Sequence, residues 1–212
     1  GVMGLYPATG KVRKDDKPVN LDSSKSALES GMAFVSEDRR GVGLLLTESI
    51  EMNIALTAMQ IQNKFLRPGF FSALRLEDRK AMRERALRFI EELDIRCTGP
   101  TQPVQRLSGG NQQKVCLARA FTLDPDLLWV SEPTRGIDIG AKQLVLDLLV
   151  KFNRERGVTV IMTSSELAEL RKICDRIAIV YEGRIVGILP SDASDLEFGL
   201  LMAGKNTRKE VG

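Results

Sequence analysis

Three short, nearly unbroken apolar runs decide what this chain can fold into. They are Met32-Ala33-Phe34-Val35, Leu127-Leu128-Trp129-Val130 and Val158-Thr159-Val160-Ile161-Met162. A strand with one wet face alternates apolar and polar residues, whereas a run apolar at successive positions marks a strand covered on both faces, as in a parallel sheet flanked by helices. Segments with helical spacing separate the runs, so the reading is α/β with a mainly parallel sheet. Each run gives way to a polar cluster: Ser36-Glu37-Asp38-Arg39-Arg40, Ser131-Glu132-Pro133-Thr134 and Thr163-Ser164-Ser165-Glu166. These clusters stand at the carboxyl ends of the strands, where open α/β sheets take ligands.

The intervening segments carry start and stop signals. Lys11 to Leu21, turning at Asp15-Asp16-Lys17, reads as a hairpin, and Ser23 to Ser30 as a capped helix closed by Gly31. Thr47 to Gln60 and Arg75 to Asp94 read as two helices of an inserted subdomain over residues 47–106, joined by a loop holding Arg67-Pro68-Gly69. On the second, Met82, Ala86, Phe89, Ile90 and Leu93 share one face, and charges such as Glu84 and Arg88 share the other. Ile139 to Arg156 is a helix with Val145, Leu148, Leu149 and Phe152 inward and Gly157 as its stop. Two strands, Arg176 to Tyr181 and Arg184 to Leu189, flank a Glu182-Gly183 turn. A last helix near Asp192 to Ala203 precedes a polar tail, 205–212, that is expected to fray.

Composition removes several kinds of chemistry. The chain has no histidine, so Ser-His-Asp and Cys-His catalysis, histidine-ligated metals and a histidine general base are excluded. Its three cysteines, Cys97, Cys116 and Cys174, are far apart and in no metal-ligand spacing, which suits a reducing compartment. The 31 basic and 28 acidic side chains nearly cancel, which argues against a nucleic-acid partner. No apolar run reaches the roughly 18 residues that a membrane span needs, so a membrane connection would run through a partner.

The most informative polar string is Leu107-Ser108-Gly109-Gly110-Asn111-Gln112-Gln113-Lys114. It sets a capping hydroxyl and two glycines directly before an apolar helix, Val115 to Phe121. Such a helix start presents unbonded N–H groups and a positive dipole end, and glycines let an anion such as phosphate approach the main chain. Taken alone, Ser-Gly-Gly is an ordinary capped helix after a turn.

With Ala118-Arg119-Ala120 one turn on, the longer string resembles the signature motif of ABC-type ATPases. The Asn-Gln-Gln continuation is similar to that of the second, C-terminal nucleotide-binding half of tandem ribose, galactoside, xylose and nucleoside importers. The resemblance runs from about Tyr6 to Gly204. It implies a P-loop NTPase-like fold with an inserted helical arm that contacts a membrane permease.

In that family the true P-loop would lie upstream of this chain. Gly4-Leu5-Tyr6-Pro7-Ala8-Thr9-Gly10-Lys11 fails as one, because five residues separate its glycines and Val12 stands where Ser or Thr would bind magnesium. The expectation is therefore a partial ABC ATPase domain, 1–212, lacking the P-loop strand.

The same resemblance suggests roles for single residues. Ser108, Gly109, Gly110 and Gln112 would close over an ATP held by a partner half. Glu37 falls where a glutamine usually touches magnesium and the attacking water, or is simply part of a solvated loop. Ser131-Glu132 replaces the usual Asp-Glu of Walker B, so magnesium should bind more weakly, while Glu132 either orients water or pairs with a cation. Asp138, in Arg135-Gly136-Ile137-Asp138, matches the D-loop and could also cap the next helix. Ser165 stands where most relatives carry a phosphate-sensing histidine, or caps a helix starting at Glu166.

The implied cofactors are ATP and Mg2+, held mainly through a partner P-loop, with no metal ligand assigned here. The implied partners are a first nucleotide-binding half, membrane permease subunits and, indirectly, a periplasmic solute-binding protein. The implied location is peripheral, on the cytoplasmic face of the bacterial membrane. Two other readings stay open. One is a noncatalytic truncated module. The other is a non-transport ABC ATPase, which would need long insertions or a strongly basic linker between Glu37 and Leu107 that are not seen.

Overall fold

A computed structural model describes residues 2–20, 22–67 and 74–205. Leu21 of the expected hairpin, Pro68 and Gly69 of the arm loop and 206–212 of the tail lie outside the described residues. The chain forms two compact units, divided between Thr163 and Ser164.

The first unit opens with a small hairpin, β1 (Arg13–Lys14) and β2 (Lys17–Pro18). Helix α1 (Ser24–Glu29) follows, its first turn closed by the Ser23 hydroxyl accepting from the Ser26 N–H. Strands β3 (Met32–Val35), β4 (Leu127–Ser131) and β5 (Thr159–Thr163) make a parallel sheet in that order. Phe34 sits opposite Trp129 and Trp129 opposite Ile161. The parallel sheet agrees with the reading of the three apolar runs.

One strand departs from it. β5 is not covered on both faces: Thr159, Ile161 and Thr163 are exposed, while Val160 and Met162 are half-buried. The difference lies in what covers the faces, since β3, also an end strand, is packed by α1 and α4, whereas β5 is packed by α5. Apolar composition reports that a strand should be covered, not whether a neighbour is there to cover it.

The arm helices are α2 (Ile50–Gln62) and α3 (Arg79–Glu92). Both start later than expected. Ser49 is the residue that caps α2, its hydroxyl accepting from Met52, and Asp78 caps α3 by accepting from Ala81. Residues just before α3 are held in extended form by an antiparallel bridge between Leu66 and Glu77, with the Arg67 N–H on the Leu76 carbonyl at 2.8 Å. Ala55, Met59 and Met82 join the two helices, and α2 also packs on α4 (Gly109–Phe121).

α4 is the centre of this unit. From Gly110 to Phe121 every side except Asn111 and Arg119 is buried. Phe121 stacks on Phe152 of α5 (Ile139–Arg156), a helix that ends at Gly157 with φ +66. α5 turns Val145, Leu146, Leu149 and Phe152 inward, with Leu148 only half-buried.

In the second unit, helix α6 (Leu167–Ile173) precedes an antiparallel pair, β6 (Arg176–Tyr181) and β7 (Arg184–Pro190). Glu182 and Gly183, at φ +45 and +73, form the two-residue turn that matches strand twist. Helix α7 (Asp195–Met202) starts with a reciprocal cap between Ser194 and Glu197. Ile177, Ile179, Phe198 and Leu201 are its core.

An open parallel edge carrying exposed apolar side chains is a template for unwanted strand pairing. Ile161, 37% exposed on β5, is the position to test. Ile161→Lys is expected to reduce concentration-dependent self-association, measured by light scattering, while leaving the circular dichroism spectrum unchanged.

Candidate functional site

The first turn of α4 reaches solvent, as does part of Arg119 farther along the helix. Ser108 is its N-cap and is exposed. Its Oγ accepts from the Asn111 N–H at 3.4 Å and from Asn111 Nδ2 at 3.0 Å. With both acceptor positions used, the hydroxyl proton is the group left to donate outward. The first intrahelical bond runs from the Gln112 N–H to the Ser108 carbonyl, so the amides of Gly109 and Gly110 precede the helical ladder. A hydroxyl donor, leading amides and a positive dipole end suit an anion.

The two glycines differ in what they allow. A Cβ on Gly110 would lie 2.7 Å from the Cβ of Ala141, so its bareness lets α5 approach α4. Gly109 is half-buried, and a Cβ there would sit 3.3 Å from the Gly136 carbonyl and 3.6 Å from Arg39 Nη2. Close approach of protein elements is what the structure shows at both.

Gln112 corrects an expectation. Read from sequence as one of the residues closing over a nucleotide, it is 3% exposed and points inward. Its Nε2 donates to the carbonyls of Val104 and Leu107, both at 3.3 Å. Its neighbours act alike: Asn111 Oδ1 accepts from the Arg96 N–H at 3.0 Å, and the buried Lys114 donates to the Asp94 carbonyl at 2.6 Å. The Asn-Gln-Gln-Lys string therefore fastens the connector 94–107 to α4. Burial pulls the Lys114 pKa down, and Asp94 opposes that shift.

The loops after β3 and β4 are tied together. Residues Arg39–Gly43 form a π-helical turn, capped by Asp38 Oδ1 accepting from the Gly41 N–H at 2.8 Å. Arg39 Nη1 donates to the Arg135 carbonyl at 2.7 Å and Nη2 to the Gly136 carbonyl at 3.4 Å. In return Arg135 Nη1 meets Glu37 Oε2 at 3.0 Å. Glu37 is thus engaged with a cation in an exposed pair, the weak kind. A polar cleft of about 370 Å³ lies over Glu37, Asp38, Arg39, Arg40, Arg135 and Gly136.

At the end of β4, Ser131 Oγ accepts from Thr163 Oγ1 at 3.2 Å. Glu132 has φ +43, a left-handed backbone that side-chain-bearing residues rarely hold. It is kept there by its N–H on the Thr163 carbonyl at 2.9 Å and its carbonyl accepting from the Arg135 N–H at 3.2 Å. Asp138 caps α5, its Oδ1 accepting from the Ala141 N–H at 2.9 Å, which is one of its two expected roles.

Ser165 is exposed and belongs to the second unit. It does not cap a helix from Glu166: α6 begins at Leu167 with Glu166 as N-cap, and it is Ser164 whose hydroxyl accepts from the Glu166 N–H at 3.0 Å.

Donor chemistry favours phosphate over metal. Ser131 supplies no charge, and among the described residues no group of three His, Cys, Asp or Glu side chains could hold a metal ion. Cys116 is inert as a thiolate, since burial pushes its pKa up to about 12. Sequence reasoning passed over Arg39, Asn111 and Lys114 as site-shaping residues, although all three stand inside the strings it singled out.

The fold is that of ATP-binding cassettes. It resembles the dimeric post-hydrolysis structure of the cassette MJ0796 bound to ADP and Pi, with a TM-score of 0.72 over 91% of this chain and 78% of that one at 21% identity. It also resembles cbiO1 from Clostridium perfringens, part of the ABC transporter complex cbiONQ, with a TM-score of 0.69 over 95% of this chain and 73% of that one at 20% identity.

The family described as ABC transporter matches residues 2–135, and this chain belongs to that family. It is 36% identical over 203 residues to the ribose import ATP-binding protein RbsA of Caldanaerobacter subterraneus, covering 95% of this chain and 39% of that protein. It is 39% identical over 189 residues to a putative ribose/galactose/methyl galactoside import ATP-binding protein of Burkholderia lata, covering 89% and 35%. With the galactose/methyl galactoside import ATP-binding protein MglA of Treponema pallidum the identity is 35%, covering 96% and 39%. The chain thus spans less than two fifths of these curated relatives. Among the described residues, no helix is long and apolar enough to cross a membrane.

Two substitutions separate structural from ligand-facing roles. Gly110→Ala is expected to cost about 1–3 kcal/mol in urea denaturation without any nucleotide, as overpacking does, and Ala141→Gly in the same chain should recover most of it. If the loss persists in the pair, the packing account of Gly110 is wrong. Glu132→Gly is expected to raise stability by about 1 kcal/mol, because glycine relieves the left-handed backbone. An unchanged or lowered midpoint would show that Glu132 carries no such strain.

Proposed function

We propose that this chain is the C-terminal nucleotide-binding half of an ABC-type sugar or nucleoside importer, which presents its signature to an ATP held by a partner half. The observation that carries this reading is the first turn of α4, where an exposed capping hydroxyl with its proton free to donate stands before leading amides on a helix otherwise largely closed to solvent. The similarity to ribose and galactose import ATP-binding proteins supports the solute class.

In this mechanism Ser108 and the amides of Gly109 and Gly110 neutralise the outer phosphate of a nucleotide seated across the interface. Bound there, ATP supplies the transferable phosphoryl group and the negative charge that the helix end attracts. Asp138 and the loop before it present the neighbouring surface to the same partner. Gln112 acts from behind, by fixing the turn on which Ser108 stands.

This chain's own catalytic edge is reduced. Glu132 occupies the position suited to orienting water. Ser131 adds no charge for Mg2+ beside it, and Glu37 is turned to Arg135. The Gly4–Lys11 string leads into β1 rather than a helix, which supports the reading that it is not a P-loop. The isolated chain is accordingly expected not to hydrolyse ATP, which keeps the noncatalytic module as the second reading. Permease subunits, a periplasmic binding protein and a peripheral place on the inner face of the membrane belong to the same proposal.

Calorimetric titration of Mg-ATP tests it, first into this chain and then into an equimolar mixture with a P-loop-bearing half. No heat from the chain alone, with tighter binding in the mixture than in the partner by itself and loss of that gain on Ser108→Arg, is the expected result. Tight binding and turnover by the chain alone would overturn it.

A further inference from the structure

We infer that Arg39 is a positioning residue that fixes the loop Arg135–Asp138 against the first turn of α4, so that the two meet a partner as one surface. The geometry is a fork. Nη1 and Nη2 of one guanidinium take the carbonyls of consecutive residues, Arg135 at 2.7 Å and Gly136 at 3.4 Å. The same Nη2 lies 3.4 Å from where a Cβ on Gly136 would stand and 3.6 Å from one on Gly109. The Gly136 carbonyl in turn lies 3.3 Å from that Gly109 position. Three chain segments thus converge on one planar cation, and two of them are glycine at the point of contact.

The anchor is itself held. Asp38 caps the π-helical turn that begins at Arg39, and Arg119 of α4 donates to the carbonyl of Gly43 at its end. Glu37, two residues before Arg39, takes the Arg135 side chain and closes the tie from the other direction. The loop after β3, the loop after β4 and the signature helix are therefore linked around a closed circuit through Arg39.

This placement is costly for stability alone. A cation beside a helix N-terminus opposes the helix dipole, and Arg39 Nε is buried with no hydrogen-bond partner in the described structure. Burial also pulls the Arg39 pKa below its ordinary value. What the residue gains is position, because a guanidinium spans two carbonyls where a lysine ammonium offers one point charge.

The functional consequence rests on the signature being donated to a partner, as proposed above; the positional role does not. Two measurements keep them apart, using wild type, Arg39→Gln and Arg39→Lys, with the exposed neighbour Arg40→Ala as control. The first is hydrogen exchange of the Ile137 and Asp138 amides, with trypsin cleavage after Arg135, in the chain as it stands. Both Arg39 variants are expected to speed exchange and cleavage at least fivefold at an unchanged melting temperature, while Arg40→Ala does neither. Equal rates in wild type and variants would overturn the positional role.

The second is the gain in Mg-ATP affinity of a P-loop-bearing half on adding this chain. Loss of most of that gain in both variants, Arg39→Lys included, is the expected result. Full retention in Arg39→Lys would overturn the fork, showing that charge alone suffices. If the wild-type chain gives no gain, the proposed function fails while the exchange measurement still decides the role of Arg39.

Discussion

Enclosing α4 on nearly all sides is the constraint from which the rest of the first unit follows. Burying side chains such as Leu117 and Phe121 contributes about 1.5–3 kcal/mol each, and those gains require α2, β3 and α5 to close around one helix. A helix so enclosed meets water mainly at an end. Its first turn is that end, and the polar groups there cannot be satisfied by the helix itself. The candidate site is therefore a by-product of how the core closes, placed where packing leaves backbone donors exposed.

Closing the core around α4 also explains the polar string that follows the glycines. Asn111, Gln112 and Lys114 sit on a helix whose surroundings are apolar, and each is answered by a backbone group of the connector 94–107. Of these, Gln112 and Lys114 are buried, and such polar side chains stabilise little in net terms, but removing their partners leaves a buried group unsatisfied. Their effect is to hold one arrangement: the connector from the helical arm meets the signature turn in a fixed register. These bonds tie the connector from the arm to the first turns of α4.

Much of this was legible in the sequence where local chemistry decides the outcome. β3 and α5 begin and end where the apolar run and the Asp138 and Gly157 caps place them, because those signals are carried by the residues themselves. Three readings failed for nonlocal reasons. β5 looks as apolar as its neighbours, yet its exposure depends on which helices pack on its faces. Gln112 sits in a motif whose composition suggests ligand contact, but direction is set by carbonyls at Val104 and Leu107 that no spacing rule reveals. α3 starts at Arg79 because Leu76 and Glu77 before it are held by Arg67 and Leu66. In each case the deciding contacts are ones that the local pattern does not show.

The carboxyl edge of the sheet combines strain and neutrality in a way that bears on function. Glu132 is held at φ +43 by two backbone bonds, while Ser131 beside it offers only a hydroxyl already engaged by Thr163. A strained backbone persists only where surrounding structure over-determines it, and such positions concentrate at working sites. Here the strain falls on a carboxylate-bearing residue whose neighbour Ser131 carries no charge. The loop that follows is fixed by Arg39 and Glu37 rather than by a ligand. The edge is thus held firmly around the Arg135–Gly136 loop and short of charge beside Glu132. On the proposed function, that asymmetry suits a half that acts on a nucleotide held by its partner.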